Sequence, residues 1–341
     1  MTLALAIAGV MLIALLLYTL TGGADFGGGV WDLLAFGKRA RAQRELIARE
    51  IAPVWEANHV WLVLLVVLLF VAFPSAYAAV STALYIPLFI MLIGIVLRGT
   101  TFVFRAYGKP TDAEERFMGT LFGITSLCTP VMLGVVLGAV SGGRVRLDPT
   151  TGRAIPEFIS SWCAPYPFAV GFFVLTLFAF LAAVYLTATT RDEALGEDFR
   201  ARALGAAAAL GVTALVALFV ADDDAVRIYE GLAGTAAGIL VLTVTSFAAA
   251  GAVYALWTRR YRLARTLAMA QTTLFVVGFG LAQYPYVVVP DITFTDAAAP
   301  DSVLRSLLGA LALGAVLLFP AFAYLYSLFA FHGQKSDPPP P

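Results

Sequence analysis

Charge is what this sequence has least of. Of its 341 residues, 22 are Lys or Arg and 22 are Asp or Glu, 13% in all against 60% hydrophobic, and the mean hydropathy is +0.87. An ordinary soluble domain carries about twice that share of charge. Most of this chain is therefore not built to face water, which excludes a soluble enzyme, a nucleic-acid binder and a disordered chain. The balanced charges say nothing about partners. Cysteine is nearly absent as well: Cys128 and Cys163 allow at most one bridge and no Cys metal site, and are expected to be bystanders. Histidine is limited to His59 and His332.

What fills the sequence instead is long apolar runs of Leu, Ala, Val and Phe, each long enough to cross a hydrocarbon layer of about 30 Å as a helix. Nine spans are expected, at 3–23, 52–74, 80–104, 117–141, 164–189, 203–221, 233–257, 264–288 and 304–330. Strands are not expected, since a membrane barrel shows segments of about ten alternating residues rather than continuous runs. Inside lipid each peptide group needs an internal partner, and that leaves helices. The first run lacks the basic start and small-residue cleavage site of a signal peptide and reads as a retained span. The chain is thus an all-α, polytopic integral membrane protein. Residues 1–331 form one transmembrane helical domain, and 332–341, ending in four prolines, form a disordered cytoplasmic tail.

Orientation follows from the basic residues. The segments after spans 1, 3, 5 and 7 and the tail hold sixteen of them, from Lys38 and Arg39 through Arg105, Arg191 and Arg259 to Lys335. The opposite segments hold five: Arg144, Arg146, Arg153, Arg227 and Arg305. The richer side should be cytoplasmic, with the N-terminus outside and the C-terminus inside.

An ionisable group in a lipid-embedded helix costs about 2.5–3.5 kcal/mol and calls for a partner or a wet cavity. The few here are Asp25 at the inner end of span 1, Glu56 and His59 early in span 2, and Arg98 late in span 3, with Arg105 at its exit. All five fall in the cytoplasmic half and can form one cluster. Glu56 and His59, three residues apart, share a helix face, with Asn58 beside them. Glu56 reads either as a proton entry group or as an anion in a first helical turn after Pro53, paired with Arg98. His59 reads as a partner of Glu56 or a pocket-lining group ahead of a haem ligand, because no second axial residue is spaced to match it.

Asp25 lies in Gly22-Gly23-Ala24-Asp25-Phe26-Gly27-Gly28-Gly29. No strand precedes this run and no Lys-Ser/Thr follows, so it is not a phosphate loop; its glycines serve a close backbone approach or a helix break. Asp25 either caps the next helix or joins the cluster. Tyr284-Pro285-Tyr286 and Pro290 read as an interfacial aromatic belt in preference to a quinone site, and Thr129-Pro130 should kink span 4.

Several stretches resemble one family, subunit II of cytochrome bd-type quinol oxidases, including the cyanide-insensitive type. They are Ala24-Asp25-Phe26-Gly27, Ile51-Ala52-Pro53-Val54-Trp55-Glu56-Ala57-Asn58-His59-Val60-Trp61, Phe73 to Ala78, Leu97-Arg98-Gly99 through Phe104-Arg105, Pro165 to Phe168, and Gln283 to Tyr286. The resemblance covers nearly the whole chain in order. It implies a subunit of the bacterial cytoplasmic membrane that pairs with a larger subunit I, where haems b and d and the quinol-oxidising loop reside; no redox catalysis is expected from this chain alone, and no haem or metal ligands. It also implies that Glu56 serves a path delivering cytoplasmic protons to subunit I, with His59, Asp25 and Asn58 along it and Arg98 and Arg105 as charge partners. Many members have Asp at position 56, an additional Asp at position 22 and Gln at position 59. Some hold a structural quinone, for which no residues are assigned here, and a small accessory subunit is left open. The competing reading is a proton-coupled secondary transporter or channel built on the Glu56, His59 and Arg98 cluster.

Overall fold

The computed structural model describes residues 2–107, 111–148, 150–155 and 157–332; within its helices, the side chains of 51–57, 106–107, 112, 319, 322–323 and 325–332 lie outside the description. The order is α1 (Leu3–Leu33), α2 (Ala40–Ala72), α3 (Pro74–Ala83), α4 (Tyr85–Tyr107), α5 (Asp112–Ser141), α6 (Pro165–Thr189), α7 (Glu193–Asp224), α8 (Val226–Ala233), α9 (Ala236–Trp257), α10 (Tyr261–Gln283), a short antiparallel hairpin of β1 (Tyr286–Val288) and β2 (Ile292–Thr293), and α11 (Asp301–His332). Among the described residues eight helices are long and apolar enough to cross a membrane, and the bent pair formed by Asn58–Ala72 and Pro74–Ala83 brings the number to nine.

Helix starts are set by side chains that accept the unpaired N–H groups of a first turn. Thr2 does this for α1, Asp192 for α7 and Thr235 for α9, and Thr111 with Glu114 closes a reciprocal capping box on α5. In the α5–α6 loop the Asp148 carboxylate accepts from the Thr150 hydroxyl and from the N–H groups of Thr151 and Thr150, bonds that hold it below the usual carboxylate range.

The helices depart from the expected spans where chain chemistry intervenes. Span 1 does not end at 23: α1 runs unbroken through the glycine run to Leu33, and the glycines serve close packing. A methyl at Gly27 would overlap the Phe178 carbonyl oxygen of α6, so only glycine lets these two backbones meet. Spans 2 and 3 are divided differently. Phe73 leaves the helical region, and Pro74, having no N–H to give, starts α3 at 116° to the end of α2, so that α4 begins only at Tyr85. The seventh run starts at 236, after the separate α8, instead of 233. The eighth ends at Gln283, since Pro285 cannot continue α10, and its last three expected residues are strand. Pro130 and Pro320 stay within their helices. The tail from 333 onward lies outside the described residues.

The core centres on α1 and α6. Tyr18 and Phe26 of α1 pack with Phe178, Phe180, Leu181 and Val184 of α6, and with Ala252, Ala255, Ala264 and Ala268 of α9 and α10. A second cluster gathers Ile7, Leu68, Phe73, Ala76, Leu84 and Val288 around the α2–α3 bend. Much of α2, α4 and α11 is left outward-facing, with Val63, Phe70, Phe89, Leu92, Leu313 and Val316 all exposed.

Candidate functional site

Where α1, α2, α4 and α5 meet, the bundle encloses a polar array. Asp25 is fully buried at mid-helix, and its partner is Arg98, itself 2% exposed. Arg98 donates from Nη1 to Oδ2 at 2.9 Å, and from Nη2 to Oδ1 at 2.7 Å and to the Asp25 carbonyl oxygen at 2.8 Å. Its Nε donates to Ser126 Oγ at 3.0 Å. Four of its five N–H bonds are thus spent on Asp25 and Ser126. The guanidinium also lies 4.7 Å from the ring centres of both Phe26 and Phe122, a stacked site suited to Arg and not to Lys.

Asn58, fully buried, continues the array by donating from Nδ2 to Asp25 Oδ2 at 2.7 Å. A carboxylate only accepts, so this bond fixes the amide, and Asn58 Oδ1 faces His59 Nδ1 at 3.0 Å. His59 Nδ1 must then carry a proton. Glu56 lies on the same helix, two residues before Asn58. Its side chain lies outside the described residues.

A second pair stands beside the first. Arg105 donates to both oxygens of Asp32, at 3.1 and 3.3 Å, and lies 5.4 Å from the Phe122 ring centre, so this one ring sits against both guanidiniums. Arg44 donates to the Asp32 and Ala35 carbonyls at the end of α1. Asp25 to Asp32 and Arg98 to Arg105 are both steps of seven residues, about two turns or 10 Å, so α1 and α4 carry a two-rung ladder. Asp32 was missed by the sequence reading, which ended the span before it and placed Arg105 in the first cluster. The matching seven-residue steps were the available signal.

Asp25 therefore joins the cluster and caps no helix, and Arg98, which the sequence left open as a partner for Glu56, is bound to Asp25. Cys128 and Cys163 are free thiols, both exposed. Tyr284 is exposed, and Tyr286 lies 4.5 Å under Arg227. Among the described residues no group of three His, Cys, Asp or Glu could hold a metal ion.

Helices of membrane-crossing length enclosing a buried carboxylate–guanidinium array define a polytopic α-helical membrane protein with a polar site inside its bundle. The model of the cytochrome bd terminal oxidase subunit II family matches residues 3–329, and the chain belongs to that family. A Bacillus subtilis protein bearing the name cytochrome bd menaquinol oxidase subunit II is 26% identical over 324 residues, which cover 92% of this chain and 91% of that one. The cytochrome bd-I ubiquinol oxidase subunit 2 of Escherichia coli is 31% identical over 137 residues, 40% of this chain and 35% of its own length. The bd oxidase structure from Geobacillus thermodenitrificans shares the fold, with a TM-score of 0.81 and 24% identity over 97% of this chain and 99% of that chain. The protein is thus subunit II of a quinol oxidase complex of the bacterial cytoplasmic membrane, the partner of a subunit I that carries the haems.

Proposed function

We propose that this subunit supports the haem-bearing subunit I and delivers cytoplasmic protons toward its haems b and d through the α1–α2–α4 array, with Glu56 as the acid that takes up and releases the proton. The reading also sets the N-terminus outside and the C-terminus inside, so that the ladder opens toward the cytoplasm. Reduction of oxygen to water consumes protons, and a buried relay is the means by which a membrane protein moves them. The observation that carries the proposal is the hydrogen-bonded chain from Arg98 through Asp25 and Asn58 to His59, which stands within a spanning bundle and on the same stretch of α2 as Glu56.

Roles divide by how firmly each group is held. Both oxygens of Asp25 are committed to Arg98 and Asn58, so Asp25 sets the local field and the orientation of Asn58. His59, half-buried and hydrogen-bonded through Nδ1 to Asn58, suits a relay position. Arg105 and Asp32 hold the mouth of the array. Electron transfer belongs to subunit I, and this chain's share is to move a proton and exclude other ions. Oxygen consumption by the purified two-subunit complex with Glu56→Gln tests the assignment. Turnover should fall at least tenfold with full haem content, and wild-type turnover in that variant would overturn it.

A further inference from the structure

Far from the ladder, α6, α7, α9 and α10 leave a cleft of about 450 Å³ between them, a volume in the range of small-molecule sites. Small residues create it, Ala207 and Gly211 on α7 and Ala249 and Ala250 on α9. A methyl added at Gly211 would meet no atom within 4 Å, so the space beside α7 is open there. Exposed Tyr254 and Trp257 line the same cleft, and Trp257 is the last residue of α9. Ala249 stands two turns earlier, so the cleft runs about 12 Å along α9 from that end.

Positive charge collects at the same end. Residues 231–290 hold four arginines and no Asp or Glu, and all four, Arg259, Arg260, Arg262 and Arg265, fall between the close of α9 and the second turn of α10. Arg259 pairs with Glu197 of α7 at 2.8 Å, but Arg200 uses the same carboxylate. Arg265 lies 5.2 Å from the Tyr185 ring centre. Arg260 and Arg262 are exposed and have no acid partner among the described residues. Trp and Tyr settle at the level of lipid headgroups. Trp257 therefore marks that level on α9, and the turn that carries Arg260 stands beside the phosphates.

Charge and shape together narrow the occupant. A soluble anion would use the arginines and leave the cleft empty, while a quinol or a neutral lipid would use the cleft and ignore the arginines. A molecule with an anionic head and an apolar tail uses both, and the bilayer supplies such molecules as its anionic phospholipids. We infer that this site holds one anionic phospholipid. Its phosphate lies on the α9–α10 turn, at Arg260 and Arg262, where the guanidinium fork matches phosphate oxygens. One acyl chain enters beside Trp257 and Tyr254 and runs over Gly211, Ala249 and Ala250. The site stands apart from the proton route and does not depend on it.

The test uses the assembled two-subunit complex in phosphatidylcholine nanodiscs that contain a minority of phosphatidylglycerol with a diazirine in one acyl chain, and maps the label by peptide mass spectrometry. A phosphatidylcholine probe with the same tail serves as the control. Phosphatidylglycerol should label the cleft-lining segments of α7 and α9 well above the control. That excess should fall about fivefold in Arg260→Gln and further when Arg262→Gln is added, the worth of a basic residue beside an anionic headgroup. Gly211→Phe, whose ring enters the open space, should remove label by both probes from these segments. Haem content at the wild-type value confirms assembly of each variant. Equal labelling by the two probes, an excess unchanged in the double arginine variant, label spread evenly over the lipid-facing helices, or cleft residues cross-linking to another polypeptide of the complex would overturn the inference. Should Gly211→Phe fail to assemble, the arginine variants, which change exposed side chains alone, still decide.

Discussion

Replacing Arg98 by Met tests the ladder most sharply, because the substitution keeps most of the side chain's apolar stem and deletes its charge. Asp25 would then be a fully buried carboxylate with Asn58 as its one remaining side-chain donor, and Ser126 would keep only its bond to the Phe122 carbonyl. Breaking a buried ion pair from one side costs about 3–5 kcal/mol, or roughly two to three and a half powers of ten in an equilibrium constant. Loss of the stacking of Arg98 on Phe26 and Phe122 adds to this. The apparent melting temperature of the haem-bearing complex should fall on the order of 10 °C, with a matching drop in yield from membranes. The stranded charge is the cause, so removing it should restore the protein: Asp25→Asn combined with Arg98→Met replaces the pair with neutral groups, an exchange that is often close to neutral. The assay is haem absorbance per membrane protein and its thermal loss for the four members of the cycle. A normal yield for Arg98→Met, or a double variant as poor as the single one, would refute the reasoning.

Three further outcomes follow from the same geometry. Gly27→Ala should lower the yield of complex, because its methyl drives α1 from α6 at the Phe178 carbonyl, an overpacking cost of about 1–3 kcal/mol; a wild-type melting temperature would contradict it. Arg105→Ala should cost less than Arg98→Met, under about 2 kcal/mol, since Arg105 is 20% exposed and water can reach the gap, and thermal melts of the two variants side by side give the comparison. His59→Leu should leave the haem spectrum of the complex unaltered, because the proposal places His59 in the proton relay and the haems on subunit I; loss of any haem band would contradict that.

How much was legible in the sequence depends on which force decided each feature. The apolar runs forced helices through the lack of water, so the class and nearly all the spans were readable. The glycine run was read as either a close backbone approach or a helix break, and the first holds: contact between α1 and α6 overrides glycine's low helix propensity, so the span's expected end at 23 does not. Ending span 1 at 23 then hid Asp32, and without Asp32 the partner of Arg105 could not be found. The bend at Phe73 was hidden for a different reason. The run is apolar on both sides of Pro74, and hydropathy does not register direction. Asp25, Asn58, His59 and Arg98 were all visible as polar groups out of place, but which of them pair was not, since that depends on the depth and rotation of three separate helices.

The central claim concerns Glu56 and the side from which protons arrive. The direct measurement reconstitutes the complex in liposomes with a pH dye in the compartment facing the Lys38–Arg49 segment, triggers turnover with quinol and oxygen, and follows proton uptake in the wild type and in Glu56→Gln. Uptake should come from that compartment in the wild type and slow at least tenfold in the variant, in step with oxygen consumption. Uptake from that compartment at the wild-type rate in Glu56→Gln, or uptake from the opposite compartment in either protein, would contradict the account.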